Sequence, residues 1–140
     1  MTKIYIGIDT GRNTGFAVWD GRKLLRVETR TIVYAMAEVL DHLSRGDDVH
    51  LVFEDARQRK WIPREKNNAE YRGKLMGAGS VKRDCEIWEE FCKEYNIPFQ
   101  ATPPKNNTTK LTAETFRRIT GWTGRTSEHA RDAAMLVFGK

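Results

Sequence analysis

The stretch Ile4-Tyr5-Ile6-Gly7-Ile8-Asp9-Thr10-Gly11 decides the fold of this 140-residue chain. Its isoleucines fall on alternate positions, which is typical of a β-strand with one apolar face. The strand ends on an acid, Asp9, and a glycine-containing turn follows it. Because an acid directly after an apolar strand is costly to bury unless another group pairs with it, this run predicts a central strand that ends in a functional acid.

The next residues predict two further strands. Phe16 to Trp19 is an apolar run of strand length, and Asp20-Gly21 is a strong signal for a tight hairpin turn. Leu24 to Ile32 then predicts a third strand. The chain is therefore expected to open with a three-stranded antiparallel meander.

Helices and strands alternate in the middle of the chain. Ala35, Val39 and Leu43 recur every four residues, which predicts an amphipathic helix that stops near Gly46. Residues 49–53 predict a fourth strand, and residues 57–68 a polar, basic loop. The pattern from 69 to about 95 is helical, although the small residues at 76–80 indicate a bend or a close approach of another backbone.

The last third of the chain predicts a fifth strand and two helices. The strand covers residues 97–101, a loop follows from 103 to 107, and a helix from 110 to 119 is closed by Gly121. Ser127 is placed to cap a final helix that runs through Val137. The predicted fold class is α/β, one domain over residues 1–140, with a mixed five-stranded sheet (βββαβαβα) flanked by helices.

Composition excludes several classes of protein. No apolar run approaches the roughly 18 residues that a membrane-spanning helix needs, and the first residues lack the pattern of a signal peptide. We therefore expect a soluble, cytoplasmic protein with no membrane contact. Cys85 and Cys92 lie seven residues apart in one predicted helix, so we expect two reduced, half-buried thiols.

The positive charge is concentrated in one segment. Residues 57–83 hold nine basic and two acidic residues, a net charge of +7, so the rest of the chain carries −2 of the total of +5. Aromatic side chains interleave with the basic ones, which favours a nucleic-acid partner over a membrane. The predicted nucleic-acid contacts in this segment are Arg57, Arg59, Lys60, Trp61, Arg64, Lys66, Arg72, Lys74, Lys82 and Arg83. A solvated basic face is the alternative interpretation.

Three acids and one histidine are candidates for chemistry. Asp9 and Glu54 follow apolar strands, and sites in α/β sheets gather at the carboxyl ends of strands. Asp132 lies in the last helix, three residues after His129, so both share one helical face. Carboxylate ligands suit Mg²⁺ or Mn²⁺, and two such ions about 3.5–4 Å apart can promote phosphodiester hydrolysis. We find no Walker loop or activated serine or cysteine nucleophile, so no nucleotide cofactor or covalent intermediate is expected.

Each of these residues also has a purely structural interpretation. Asp9 could cap the turn through Gly11, Glu54 could form a strand-end ion pair, and Asp55 could be the functional acid instead of Glu54 because alternation lets only one of them face a given side. Asp132 and His129 could be ordinary helix residues. The order of the acids along the chain, after strand one, after strand four and in the last helix, is more specific than any one of them.

That order resembles the RuvC-type Holliday junction resolvases, a branch of the RNase H-like superfamily. Residues 6–11 followed by 14–18 resemble the opening strand, turn and second strand of that family. Residues 52–54 resemble its second acidic motif. Residues 128–134 resemble its closing helix, where a His or Asp precedes the final Asp by three positions.

The resemblance implies an RNase H-like fold and a role for each motif residue. It implies that Asp9, Glu54, His129 and Asp132 hold two Mg²⁺ or Mn²⁺ ions. It also implies that Lys105 and Lys110 contact the DNA backbone near the scissile phosphate, and that a homodimer makes paired nicks in branched DNA. The chain departs from the family at Thr10, where proline is common, in a short loop between the two lysines, and in the Arg- and Lys-rich loop after Glu54.

Other functions remain open from the sequence. The same acids would serve an RNase H-like nuclease that cuts RNA–DNA hybrids or flaps. A non-catalytic nucleic-acid scaffold would use the carboxylates for structure alone. Asp9-Thr10-Gly11 with Thr14-Gly15 is also similar to the phosphate loop of actin-like ATPases, but those proteins need two lobes and this chain has the length for one.

Overall fold

The computed structural model describes residues 2–58, 69–104 and 110–140, with the backbone alone described for residues 69–78. These residues form an α/β fold built on one mixed five-stranded sheet with helices on both faces. The strands are β1 (Lys3–Asp9), β2 (Thr14–Trp19), β3 (Leu24–Arg30), β4 (Asp48–Glu54) and β5 (Phe99–Thr102). Their order across the sheet is β3-β2-β1-β4-β5.

The predicted meander is confirmed. β1 pairs antiparallel with β2, and β2 pairs antiparallel with β3. Asp20 forms the hairpin turn between β2 and β3, since its Oδ1 accepts hydrogen bonds from the backbone amides of Arg22 and Lys23, both at 2.8 Å. Gly21 has a φ of +93°, a conformation that favours glycine.

The second half of the sheet is parallel. β4 lies beside β1 with Ile8 opposite Phe53, and β5 lies on the other side of β4. β1 is therefore central, as predicted. Parallel neighbours place their carboxyl ends at one edge of the sheet, and this arrangement brings the ends of β1 and β4 together.

Four helices connect or follow the strands: α1 (Ile32–Ser44), α2 (Ala69–Glu94), α3 (Ala113–Thr120) and α4 (Glu128–Val137). The two helices predicted after β5 are both present, so the order is βββαβαβαα and the order βββαβαβα omits one of them. Residues 76–80 do not break α2. A Cβ on Gly79 would meet nothing within 4 Å, so no other backbone approaches Gly79. The helix predicted from residue 110 begins only at Ala113, because Thr112 caps it.

The two faces of the sheet carry separate apolar clusters. Alternate strand residues such as Ile6, Phe16 and Phe53 pack with α1 and α2 around Trp88, which is fully buried. The opposite face packs Ala17 and Val52 against α4 and α3. Cys85 and Cys92 are free thiols, but both are fully buried and not half-buried as predicted, because they lie on the side of α2 that faces the sheet.

Within the described ranges, no helix has both the length and the apolar composition that a bilayer crossing requires. The loop predicted at residues 57–68 begins instead with a short 3-10 helix, Ala56–Gln58, and its residues 59–68 lie outside the described residues, as do residues 105–107 of the loop predicted at 103–107.

Candidate active site

Asp9 and Glu54 lie at the carboxyl ends of two neighbouring parallel strands. Because Ile8 is opposite Phe53 in the pairing of β1 with β4, Asp9 and Glu54 occupy the next step of the same register. Val52, two residues before Glu54, packs against α4, so alternation turns Glu54 toward the α4 side. Asp9 is on that side too, where its side chain is 19% exposed. The structure therefore places these two predicted acids next to each other on one face.

Alternation also separates Glu54 from Asp55. Phe53 belongs to the apolar cluster on the α1 and α2 side, and Asp55 follows it on that side. The Asp55 side chain is 6% exposed and accepts hydrogen bonds from Arg57. Glu54 is thus the acid that faces Asp9, while Asp55 points away from it.

Helix α4 brings the other two predicted residues over the strand ends. Ser127 caps the helix, since its hydroxyl accepts a hydrogen bond from the amide of Ala130 at 3.1 Å. His129 and Asp132 follow one helical turn apart on the same face. A cap at this position fixes where the helix begins and therefore where His129 lies relative to Asp9.

Two glycines allow α4 to lie directly on the sheet. A Cβ built on Gly7 would lie 2.1 Å from the backbone oxygen of Ala133, and one on Gly15 would lie 2.0 Å from the backbone oxygen of His129. The Gly15 Cβ would also lie 2.9 Å from Asp9 Cβ. No side chain fits at either position, so these glycines set the distance between α4 and the acid-bearing strand.

His129 contacts Asp9 directly, since its Nδ1 lies 2.8 Å from Oδ2 of Asp9. Burial raises the pKa of the Asp9 carboxyl above its ordinary value. The hydrogen bond from His129 opposes that shift, and the negative charge of Asp132 adds to it. The carboxylates of Asp9 and Asp132 are therefore close enough to interact, as neighbouring acids do in many functional sites.

Lys110 lies in the same site. Its ammonium group donates a hydrogen bond to Oδ2 of Asp132 and lies 4.0 Å from Oε1 of Glu128. Although partial burial lowers the pKa of Lys110, the hydrogen bond to Asp132 and the charges of Asp132, Asp9 and Glu128 raise it overall. The predicted lysine near the reaction centre is thus brought to the acids. Lys105 lies outside the described residues.

A buried thiol on the α2 side of the sheet contacts the ends of both β1 and β4. Cys85 of α2 donates a hydrogen bond to the backbone oxygen of Glu54 at 3.6 Å, and its sulfur lies 3.4 Å from the hydroxyl of Thr10. Burial raises the pKa of the Cys85 thiol, so it stays protonated and able to donate. Thr10 therefore has a specific partner in this chain.

The predicted nucleic-acid contacts are distributed over three parts of the chain. Arg57 pairs with Asp55 and Glu89, and Arg83 on α2 pairs with Glu86 at 2.9 Å. Lys82 lies half-buried beside Arg83. Arg72 and Lys74 belong to the part of α2 whose side chains are not described. The remaining predicted contacts lie outside the described residues: Arg59, Lys60, Trp61, Arg64 and Lys66.

The donor chemistry of the site fits Mg²⁺ or Mn²⁺, because it consists of carboxylates and one imidazole. In the described parts of the chain, however, no group of three or more His, Cys, Asp or Glu side chains has the geometry of a metal site. Asp9 contacts His129, and Asp132 contacts Lys110. A divalent ion on Asp132 would compete with the ammonium of Lys110 for the same carboxylate oxygen.

No family model matches the chain, and no curated protein matches it significantly.

Gly7 and Gly15 hold the site together, and neither is among the predicted site residues. Gly7 lies inside the predicted first strand, where a glycine is a signal for close backbone approach. Gly15 falls in the predicted turn before Phe16, and it becomes a strand glycine only because β2 begins at Thr14. Cys85 and Glu89 carried no such signal, since their contacts depend on which strand end α2 crosses.

Proposed function

We propose that this protein is a metal-dependent, structure-selective endodeoxyribonuclease of the RNase H-like superfamily that nicks four-way (Holliday) or other branched DNA junctions. The observation that supports it best is the position of Asp9 and Glu54 on adjacent parallel strand ends, covered by the helix that carries His129 and Asp132. Three motifs far apart in sequence converge there, in the order that resembles the RuvC-type resolvases.

Asp9, Glu54, Asp132 and His129 would hold Mg²⁺ or Mn²⁺, with two ions expected. Bound ions of this kind supply a reactive water at neutral pH and stabilise the leaving oxygen of a phosphodiester. Asp9 has a raised pKa, and Lys110 pairs with Asp132. Perturbed pKa values and closely spaced charges of this kind are typical of functional sites.

Asp132 is among the residues that would hold the ion, and the ammonium of Lys110, which now contacts Asp132, would then be available for a phosphate oxygen of the DNA strand beside the acids. A lysine is suited to this because its charge is compact and its stem is flexible. Replacement of Lys110 by Met should therefore weaken cleavage while raising the affinity of the site for Mg²⁺.

The net charge of +5 supports a polyanionic substrate. Binding of this kind weakens steeply with salt, because each neutralised phosphate releases counterions. The proposed partner is branched DNA, and a homodimer would match the two-fold symmetry of a junction that is nicked in pairs. No nucleotide cofactor is part of the proposal.

The test is cleavage of a labelled four-way junction in Mg²⁺ or Mn²⁺, beside a linear duplex of the same sequence, a flap and an RNA–DNA hybrid. Wild type should make symmetric nicks in the junction. Asp9→Asn should lower the rate by about a thousandfold and leave junction binding intact, because it removes charge from the metal site alone. Asp41→Asn is the matched control, since Asp41 is an exposed aspartate on α1 that pairs with Arg45.

Three other outcomes of this cleavage test would change the proposal. Equal cutting of linear duplex and junction would remove the structure-selective part. Cutting of the hybrid or flap alone would keep the site and change the substrate. Normal cutting by Asp9→Asn would show that the site is assigned to the wrong residues.

A non-catalytic nucleic-acid scaffold is the second candidate, and one observation favours it. In the described residues Asp9 contacts His129 and Asp132 contacts Lys110, so both carboxylates have partners without an ion. This candidate predicts tight junction binding with no cleavage of any substrate in either metal. It also predicts that Asp9→Asn binds as wild type does.

A further inference from the structure

The segment directly after Glu54 is fixed by a buried carboxylate. Asp55 accepts two hydrogen bonds from the guanidinium of Arg57, from Nε at 2.8 Å and from Nη2 at 3.0 Å, and a third from the backbone amide of Arg57 at 3.0 Å. The amide of Asp55 itself donates to the backbone oxygen of Thr102 in β5 at 2.7 Å. Asp55 thereby holds both its own turn and the neighbouring strand.

The same guanidinium reaches helix α2. Nη2 of Arg57 also donates to Glu89, whose other oxygen accepts a hydrogen bond from Lys93 at 2.9 Å. Gln58 completes the arrangement, because its side-chain amide donates to Asp55 at 3.3 Å and to the backbone oxygen of Ala101 at 3.1 Å. The chain leaving β4 is thus attached to α2 on one side and to β5 on the other.

Asp55, Arg57 and Glu89 are charged at neutral pH. The hydrogen bond from Arg57 lowers the pKa of Asp55, and hydrogen bonds from Lys93 and Arg57 lower the pKa of Glu89. Hydrogen bonds to Asp55 and Glu89 raise the pKa of Arg57. Charge-assisted hydrogen bonds of this kind are roughly twice as strong as neutral ones, and a bidentate pair also fixes orientation.

We propose that Arg57 is a positioning residue for Glu54, which it fixes through Asp55 and Glu89, and that it does not bind the DNA backbone. The proposal rests on the proposed function, in which Glu54 is a site acid. It competes with the prediction from sequence that Arg57 contacts nucleic acid. Glu54 is one residue from the group, and its own backbone oxygen accepts from Cys85 of the same helix, so α2 sets the position of Glu54 at two adjacent points.

The two roles predict opposite effects of Glu89→Gln. If Arg57 binds phosphate, loss of the acid beside it releases the guanidinium and strengthens DNA binding. If Arg57 positions Glu54, loss of the acid loosens the segment and slows cleavage without strengthening binding. Glu86→Gln is the matched control, because Glu86 borders the same surface depression one helical turn away and pairs with Arg83.

The first arm of the test is backbone hydrogen exchange of residues 55–58 in the full-length protein. Arg57→Gln and Glu89→Gln should accelerate exchange of the Asp55 amide by about tenfold or more, since local opening governs that exchange. Glu86→Gln should leave it within about twofold. This arm does not depend on any nuclease activity.

The second arm separates kcat from DNA affinity. At saturating junction DNA, Arg57→Gln and Glu89→Gln should each lower kcat by between about 10- and 100-fold, the range expected when a reacting group is displaced by about 1 Å. The dissociation constant of the junction and the slope of its salt dependence should stay at the wild-type value. Glu89→Gln, the milder change, keeps the test available should Arg57→Gln fail to fold.

Three results would overturn the proposal. Unchanged exchange at Asp55 in both variants is one. An unchanged kcat with weaker binding and a salt slope reduced by about 1 in Arg57→Gln is another, because that is the behaviour of a phosphate contact. The third is tighter DNA binding in Glu89→Gln. If wild type cuts no substrate, the proposed function fails by itself, and the exchange arm alone then decides whether Arg57 and Glu89 fix the segment.

Discussion

The two faces of the sheet treat an aspartate in opposite ways at the same edge. On the α2 face Asp55 is almost fully buried, yet hydrogen bonds from Arg57 lower its pKa. On the α4 face burial is the main cause that raises the pKa of Asp9, and the charge of Asp132 adds to it, while the hydrogen bond with His129 opposes it. Burial therefore decides the direction of the shift at Asp9, and the hydrogen bonds from Arg57 decide it at Asp55.

This difference separates a structural acid from the acid proposed to be functional. Asp55 has an arginine in bidentate contact, so its charge is favourable in the folded state. Asp9 is buried beside a second carboxylate, Asp132, so its charge is unfavourable in the folded state. Proteins accept such a cost at sites of chemistry, and the contrast can be tested on stability as well as on activity.

The largest effect is expected where α4 meets the sheet. Gly15→Ala places a methyl group 2.0 Å from the backbone oxygen of His129, so the helix must move and the free energy of unfolding should fall by about 3 kcal/mol. Cleavage should fall with it, since the shift displaces His129 from Asp9. Urea unfolding measures the first effect.

Gly79→Ala is the control for that change. Gly79 lies in α2 with nothing within 4 Å of a new Cβ, so alanine should stabilise the protein by about 0.5–1 kcal/mol through its higher helix propensity. Equal effects of the two substitutions would mean that α4 does not rest on Gly15.

The next effect concerns the structural aspartate. Asp55→Asn removes a charge from a buried ion pair and leaves Arg57 with weaker acceptors, so the protein should lose about 2 kcal/mol at pH 7. Because the folded-state pKa of Asp55 is lowered, its contribution is complete above the ordinary value of 3.8 and is lost as the pH falls through the lowered value. The stability difference between wild type and Asp55→Asn should shrink on acidification. A pH-independent difference would indicate that the carboxylate charge is not involved.

Asp9→Asn should change the free energy of unfolding in the opposite direction from Asp55→Asn. A raised folded-state pKa means that ionised Asp9 costs stability above that pKa, and that the cost disappears below the ordinary value of 3.8. The neutral variant should therefore be more stable than wild type at pH 7, by about 1 kcal/mol as is common at functional sites, and equal to it in acid. Thermal melts of both proteins from pH 3 to 7 measure the stability difference at neutral pH and its loss in acid. A loss of stability at pH 7 would show that the contact with His129 outweighs burial.

Much of this arrangement follows from sequence pattern alone. The alternation of residues 4–8 and the Asp20-Gly21 hairpin predicted the meander, and the acids after two apolar strands predicted one shared edge. The choice between Glu54 and Asp55 needed the register of β4, because both follow the same apolar run. The partners of Arg57 needed the path of α2, since Glu89 is 32 residues away and looks like any surface acid of a helix.

The boundaries that were wrong have local causes. α3 begins three residues later than predicted because Thr112 takes the capping position, with its hydroxyl accepting from the amide of Thr115 at 3.1 Å. The small residues at 76–80 predicted a bend or a close backbone approach, but α2 is continuous through them and a Cβ on Gly79 would meet nothing within 4 Å. Propensity indicates where a helix can end, whereas capping contacts decide where it does end.

The smallest expected effect compares the caps of two helices on opposite faces. Ser127 caps α4 and Thr31 caps α1, each accepting one backbone hydrogen bond, at 3.1 and 3.2 Å. Replacing either with Ala should cost about 1 kcal/mol of stability. Only Ser127→Ala should also slow cleavage, because His129 lies two residues beyond Ser127 and loses its fixed position over Asp9 when the first turn frays. Melting temperatures and junction cleavage measured on both variants separate the effects: equal destabilisation with unequal activity supports a site on the α4 face, whereas equal activity loss would mean that cleavage simply follows stability.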